Sequence, residues 1–149
     1  MKFAIVSSCL HQSLFTFQNI TRMASTSIFK NIDSMNTQQV RQFLNSFDTV
    51  LADCDGVLWN GPCPLDGSVE AIQGLRNLGK RIIFVTNNGT RTRKDVLDKC
   101  IKLGFGGEIK DVFTSSYLCG RYLILKNFKQ KVILENCKSA LDIKCLSTE

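Results

Sequence analysis

Between Thr49 and Leu134, short apolar runs rich in β-branched residues alternate with stretches where apolar side chains recur at helical spacing. That alternation most constrains the fold. Arg81-Ile-Ile-Phe-Val-Thr86 is a strand without a breaker, Thr49 to Ala52 is a shorter one, and Asp111 to Thr114 and Lys131 to Leu134 follow the same pattern. Asn36 or Thr37 opens a helix carrying Val40, Phe43, Leu44 and Phe47. A second helix begins near Asp66 or Ser68, carries Val69, Ile72, Leu75 and Leu78, and stops at Gly79. A third carries Val96, Leu97, Cys100 and Ile101 and closes at Gly104, and Ser115 caps a fourth with Leu118, Tyr122 and Leu125. Such alternation predicts an α/β fold, a parallel sheet covered by helices.

In sheets of this kind ligands bind where loops leave the carboxyl ends of the strands. Two polar clusters fall at such ends. Asp53 and Asp55 follow the first strand one residue apart, and Thr86, Asn87 and Asn88 follow the strongest one. Two like charges this close repel, and a buried unpaired carboxylate is costly, so the pair points to a cation or to proton transfer. The Thr86 hydroxyl and the backbone amides after it are donors suited to phosphate oxygens, while a carboxylate with nearby carbonyls suits Mg²⁺. Asp53 then reads as a nucleophile toward phosphorus and Asp55 as the acid and base, with Gly56 letting the backbone turn beneath the pocket.

Composition narrows the chemistry. The one histidine is His11, near the amino terminus, so histidine triads and histidine metal clusters are not expected. Seven cysteines contain no CxxC pair, which argues for reduced thiols rather than a disulfide framework or a zinc site. The net charge of +6 comes from scattered basic residues and predicts a solvated surface with a mild preference for anionic substrates, without nucleic-acid binding. No run approaches a membrane span. Residues 1–35, basic and rich in Ser and Thr, read as an extension, either disordered or a mitochondrial presequence; the expected location is cytoplasmic, with mitochondrial as the alternative. Cys54 reads as a structural thiol, Trp59 as packed either in its own loop or against a substrate, and Gly104-Phe-Gly-Gly107 as a helix stop and turn. Arg91, Arg93 and Lys94 read as a solvated helix start, or as contacts to an anionic part of a substrate.

Phe47 to Trp59, FDTVLADCDGVLW, is similar to the first motif of the haloacid dehalogenase-like hydrolases, and Val85 to Arg93, VTNNGTRTR, resembles their second. Pro64-Leu-Asp-Gly67, Leu103-Gly-Phe105 and Asp111 to Leu123 narrow the resemblance to the phosphoglycolate phosphatase, pyridoxal phosphatase and 4-nitrophenylphosphatase group. It implies Mg²⁺-dependent hydrolysis of small phosphomonoesters through an aspartyl phosphate. It implies Asp53 as nucleophile and metal ligand, Asp55 as acid/base with its backbone carbonyl on the metal, and Thr86 and Asn87 at the phosphate.

The resemblance also implies a domain plan: a partial Rossmann-like sheet over residues 36–135 and a divergent tail over 136–149. The family's cap domain, its charge-balancing lysine and its later acidic motif have no counterpart in this sequence. Three expectations follow: a weakly held Mg²⁺, an unpaired edge on the strand that leads to Asp53, and pairing as a homodimer or with full-length subunits. A non-catalytic form that binds phosphate is the alternative.

Overall fold

The computed structural model describes residues 3–6 and 34–128. The elements run β1 (Phe3–Val6), α1 (Thr37–Asn45), β2 (Thr49–Asp53), β3 (Trp59–Asn60), β4 (Cys63–Pro64), α2 (Ser68–Asn77), β5 (Arg81–Thr86), α3 (Arg93–Lys102), β6 (Val112–Thr114) and α4 (Ser115–Leu125). Four strands form one parallel sheet in the order β1-β2-β5-β6, and β3 and β4 form a small antiparallel hairpin.

The central pair forms where the apolar runs predict it. β5 buries Ile82, Phe84 and Thr86 alternately, and β2 buries Thr49, Val50 and Ala52. Phe47, Ile72, Val96, Cys100 and Phe105 close the core from the helices and loops, and Val112 adds to it from β6. Helix starts follow capping chemistry. Asn36 and Gln39 exchange side-chain and backbone bonds at the start of α1, and Thr92 and Asp95 do the same for α3. Gly79, at φ +73°, ends α2 in the left-handed region as expected.

Several expectations are corrected. The edge of β2 away from β5 is paired: Phe3–Val6 runs parallel along it, with Val6 opposite Ala52. An apolar segment from residues read as an extension thus supplies the hydrogen bonds that the edge requires. α1 buries no residue, so its stripe lies on the surface of the core; Phe47 is buried, but beyond the helix. α2 begins at Ser68, as read, with Gly67 in the left-handed region before it, and the Ser68 hydroxyl donates to the Leu58 and Leu65 carbonyls instead of capping the helix. Thr114, not Ser115, caps α4, accepting from the Tyr117 amide.

The stripe Leu118, Tyr122 and Leu125 is exposed, and α4 instead buries Ser116 and Gly120. The small residues of this helix thus face inward and the bulky ones outward. The strand expected at Lys131 to Leu134 and the tail 136–149 lie outside the described residues.

Candidate active site

Parallel register brings the two polar clusters to one edge. Asp53 pairs with Val85, so Thr86 follows immediately past the level of Asp53, and both strands point their carboxyl ends the same way.

After Asp53 the chain turns tightly. Asp53 Oδ1 accepts from the Cys54 amide at 2.8 Å, and the Cys54 carbonyl gathers the amides of Val57, Leu58 and Trp59. Gly56, at φ +80°, permits the reversal, and its amide donates to the Trp59 carbonyl at 2.8 Å. The Asp55 carbonyl takes part in none of these turn bonds.

The same turn folds Trp59 under Asp55. The indole Nε1 donates to Asp55 Oδ1 at 2.8 Å, while the ring is buried against Phe105, with centroids 5.7 Å apart. Trp59 is thus packed within the protein and fixes a site carboxylate. From α3, Lys99 Nζ reaches to 3.9 Å from the same Oδ1 and lies 4.4 Å from the Trp59 ring centroid.

The second loop is held just as firmly. The Thr86 hydroxyl accepts from the Asn88 amide at 3.1 Å, so one amide expected at the phosphate is engaged here. That bond uses an oxygen lone pair and leaves the hydroxyl proton to donate elsewhere. Asn88 Oδ1 accepts from the amide and the hydroxyl of Thr90, and the Ser115 hydroxyl donates to the Asn87 carbonyl at 3.1 Å. The loop is therefore fastened to the start of α4.

Asp55 and Thr86 line one cavity of about 600 Å³ together with Trp59, Asn88, Arg91 and Lys99. Asp53 and Asn87 are not among its lining residues; Asp53 is half-buried at the strand end, and Asn87 is exposed. Arg91 thus faces the cavity. Arg93 does not: its guanidinium donates to the carbonyls of Ile109 and Val112 and covers the Tyr117 ring, tying α3 to β6.

Between the aspartates, burial pushes the Cys54 thiol far above its ordinary range, with Cys100, Asp53 and Asp55 adding to the effect. Burial likewise pushes Cys100 up to about 12. Both thiols are protonated at neutral pH and act as small core residues.

For a divalent cation the donors present are hard oxygens, the Asp53 carboxylate and the Asp55 carbonyl, which no backbone bond among the described residues uses, and this is the donor type that Mg²⁺ takes. Among the described residues no group of three or more acidic, histidine or cysteine side chains gathers. Water would complete the coordination. Also among the described residues, no helix is long and apolar enough to cross a membrane.

Lys99 and the indole bond are the site features that the residue patterns did not single out. A signal existed. Lys99 follows the buried Val96 by three residues and adjoins the buried Cys100, so it lies on the inward side of α3.

The sequence model described as haloacid dehalogenase-like hydrolase matches residues 50–142. The chain is similar to phosphoglycolate phosphatase 1A, chloroplastic, of Arabidopsis thaliana, at 39% identity over 110 residues, 72% of this chain and 30% of that protein. Among solved structures, p-nitrophenyl phosphatase from Archaeoglobus fulgidus matches with a TM-score of 0.59 at 27% identity, over 66% of this chain and 38% of that one. A glycerol phosphate phosphatase from Mycobacterium tuberculosis, solved in complex with magnesium, matches with a TM-score of 0.50 at 30% identity, over 58% of this chain and 25% of that one. The chain spans 29% to 30% of the length of such curated relatives.

Proposed function

The chain belongs to the haloacid dehalogenase-like hydrolases, and from that premise we propose that it hydrolyses small phosphomonoesters with Asp53 as nucleophile. The observation that carries this reading is the β2–β5 register. It sets a carboxylate beside a buried threonine hydroxyl with a free proton, at the edge where parallel sheets bind ligands.

In the proposed reaction an Asp53 oxygen attacks phosphorus, the P–O bond to the leaving group breaks, and protonated Asp55 gives its proton to the departing oxygen. Water then attacks the aspartyl phosphate while Asp55 takes its proton, releasing inorganic phosphate and restoring Asp53. Thr86 donates to a phosphate oxygen throughout, and Asn87 orients the group beside it. Asp53 and the Asp55 carbonyl would hold Mg²⁺, which supplies charge neutralisation between the nucleophile and the phosphate dianion. The magnesium-bound relative supports Mg²⁺ as the cation. Arg91, at the cavity wall, suits an anionic remainder of the substrate, and relatives named for phosphoglycolate and glycerol phosphate support small esters as the substrate class. Free thiols at Cys54, Cys63, Cys100 and Cys119 support a reducing compartment such as the cytoplasm.

A second reading, a chain that binds phosphate without turning it over, is favoured by the small set of metal donors among the described residues. One assay separates the two. Purified protein is incubated with p-nitrophenyl phosphate and with glycerol phosphate, with and without Mg²⁺, beside the Asp53→Asn variant. Mg²⁺-dependent turnover that vanishes in Asp53→Asn supports hydrolysis. A folded protein that binds phosphate and releases no product supports the second reading and sinks the first.

A further inference from the structure

Asp55 is held asymmetrically. Oδ1 receives the Trp59 indole N–H at 2.8 Å and lies 3.9 Å from the Lys99 ammonium, whereas among the described residues no side chain or amide bonds Oδ2. We propose that Lys99 is a positioning residue for the acid/base carboxylate: with Trp59 it pins Asp55 through one oxygen and leaves the other to carry the proton given to the leaving oxygen.

Three observations support this role. First, the indole is an immobile donor, because Trp59 is 2% exposed and packed on Phe105. Second, the ammonium is drawn to two groups at once, the carboxylate and the face of the same indole, 4.4 Å from its centroid. Third, α3 fixes the approach of Lys99, since the Thr92–Asp95 capping box anchors the start of the helix and Val96 and Cys100 bury its inner side.

An ion pair this exposed adds little to stability. Its effect is on orientation: the carboxyl group that must meet the ester oxygen as the P–O bond breaks is held in place through Oδ1. The benefit therefore grows with how much the leaving group needs that proton.

This inference takes its chemistry from the phosphatase reading but its geometry from the structure alone, and the test keeps the two apart. Glycerol phosphate leaves as a basic alkoxide and depends on protonation; p-nitrophenyl phosphate leaves as a stable phenolate and does not. Lys99→Met is expected to lower kcat on glycerol phosphate about 10-fold, with KM within about 2-fold, and to lower kcat on p-nitrophenyl phosphate less than about 3-fold. Lys99→Arg should restore most of the loss. Equal losses on both esters, or a change confined to KM, would overturn the proposal. Should Lys99→Met fail to fold, Lys99→Gln keeps a polar stem without the charge and is read the same way.

If the unaltered protein turns over neither ester, the phosphatase reading fails, and the positioning claim is decided by fluorescence. Trp59 is the sole tryptophan. Its emission should shift in Lys99→Met and in Asp55→Asn, with the double variant departing clearly from the sum. Strict additivity would mean that the three groups are uncoupled and would end the claim.

Discussion

Asp53 stands opposite Val85 in the parallel register of β2 and β5, which sets the Thr86 hydroxyl just beyond the level of the carboxylate. Thr86 is 3% exposed, and its oxygen accepts from the Asn88 amide. Thr86→Val keeps the shape, removes the hydroxyl proposed to donate to phosphate and leaves that amide without its acceptor. KM is expected to rise about 10-fold or more, the loss of one hydrogen bond to a charged group, and stability to fall by about 1 kcal/mol. Thr86→Ser should behave much like the unaltered protein. Steady-state kinetics and urea denaturation of the three proteins check this.

Phe105 is fully buried against Trp59, and its carbonyl accepts from the Arg76 guanidinium. Phe105→Ala opens a cavity beneath the indole that holds Asp55. The expected cost is about 3–5 kcal/mol, a large share of the roughly 5–15 kcal/mol typical of a whole domain. A large drop in the urea midpoint, followed by Trp59 emission, is the expected result; a drop below about 1 kcal/mol would mean that the surroundings collapse to fill the space.

Gly107 has φ +128°, and a Cβ there would lie 3.0 Å from Cε2 of the fully buried Phe84 ring. Gly107→Ala therefore combines backbone strain with overpacking, about 2–4 kcal/mol together. Gly61, at φ +54° with nothing within 4 Å, carries the strain alone. Gly61→Ala is expected to cost about 1–2 kcal/mol. Equal midpoint shifts for the two variants would refute the steric part of the argument.

Cys54 and Cys100 are buried, whereas Cys63 and Cys119 are exposed. Brief iodoacetamide treatment near pH 8, mapped by mass spectrometry, should label Cys63 and Cys119 and spare the other two until urea is added. The same burial carries a pH dependence. The Cys100 thiol ionises near 9.0 when unfolded, whereas burial pushes it up to about 12 in the folded protein. Its contribution to stability is therefore complete below about pH 9 and is lost as pH rises toward 12, because only the unfolded chain releases the proton in that window. Cys54 is shifted in the same direction. Replacing either thiol by alanine or valine should flatten the alkaline limb of a stability–pH curve.

The features legible in the sequence depend on neighbouring residues. The alternation in Arg81 to Thr86 marks β5 at its observed limits, and Asn36 marks the start of α1, because periodicity and caps are properties of a few consecutive residues. Asp53, Asp55 and Thr86 could be placed at strand ends for the same reason. The short hairpin of Trp59–Asn60 with Cys63–Pro64 was not legible, since two-residue strands leave no period to read.

What the sequence by itself determined is thus the parallel α/β alternation and the two polar strand ends, both consequences of local pattern. The tertiary structure alone decided three things. Phe3–Val6 completes the edge of β2, because backbone hydrogen bonds along a sheet edge accept almost any extended apolar segment. α4 turns Leu118, Tyr122 and Leu125 outward and buries Ser116 and Gly120, because helical spacing marks a face without fixing which side packs on the sheet. Lys99 meets Asp55 over Trp59, because the packing of α3 brings together residues that lie 40 and more positions apart, a distance that no local pattern encodes.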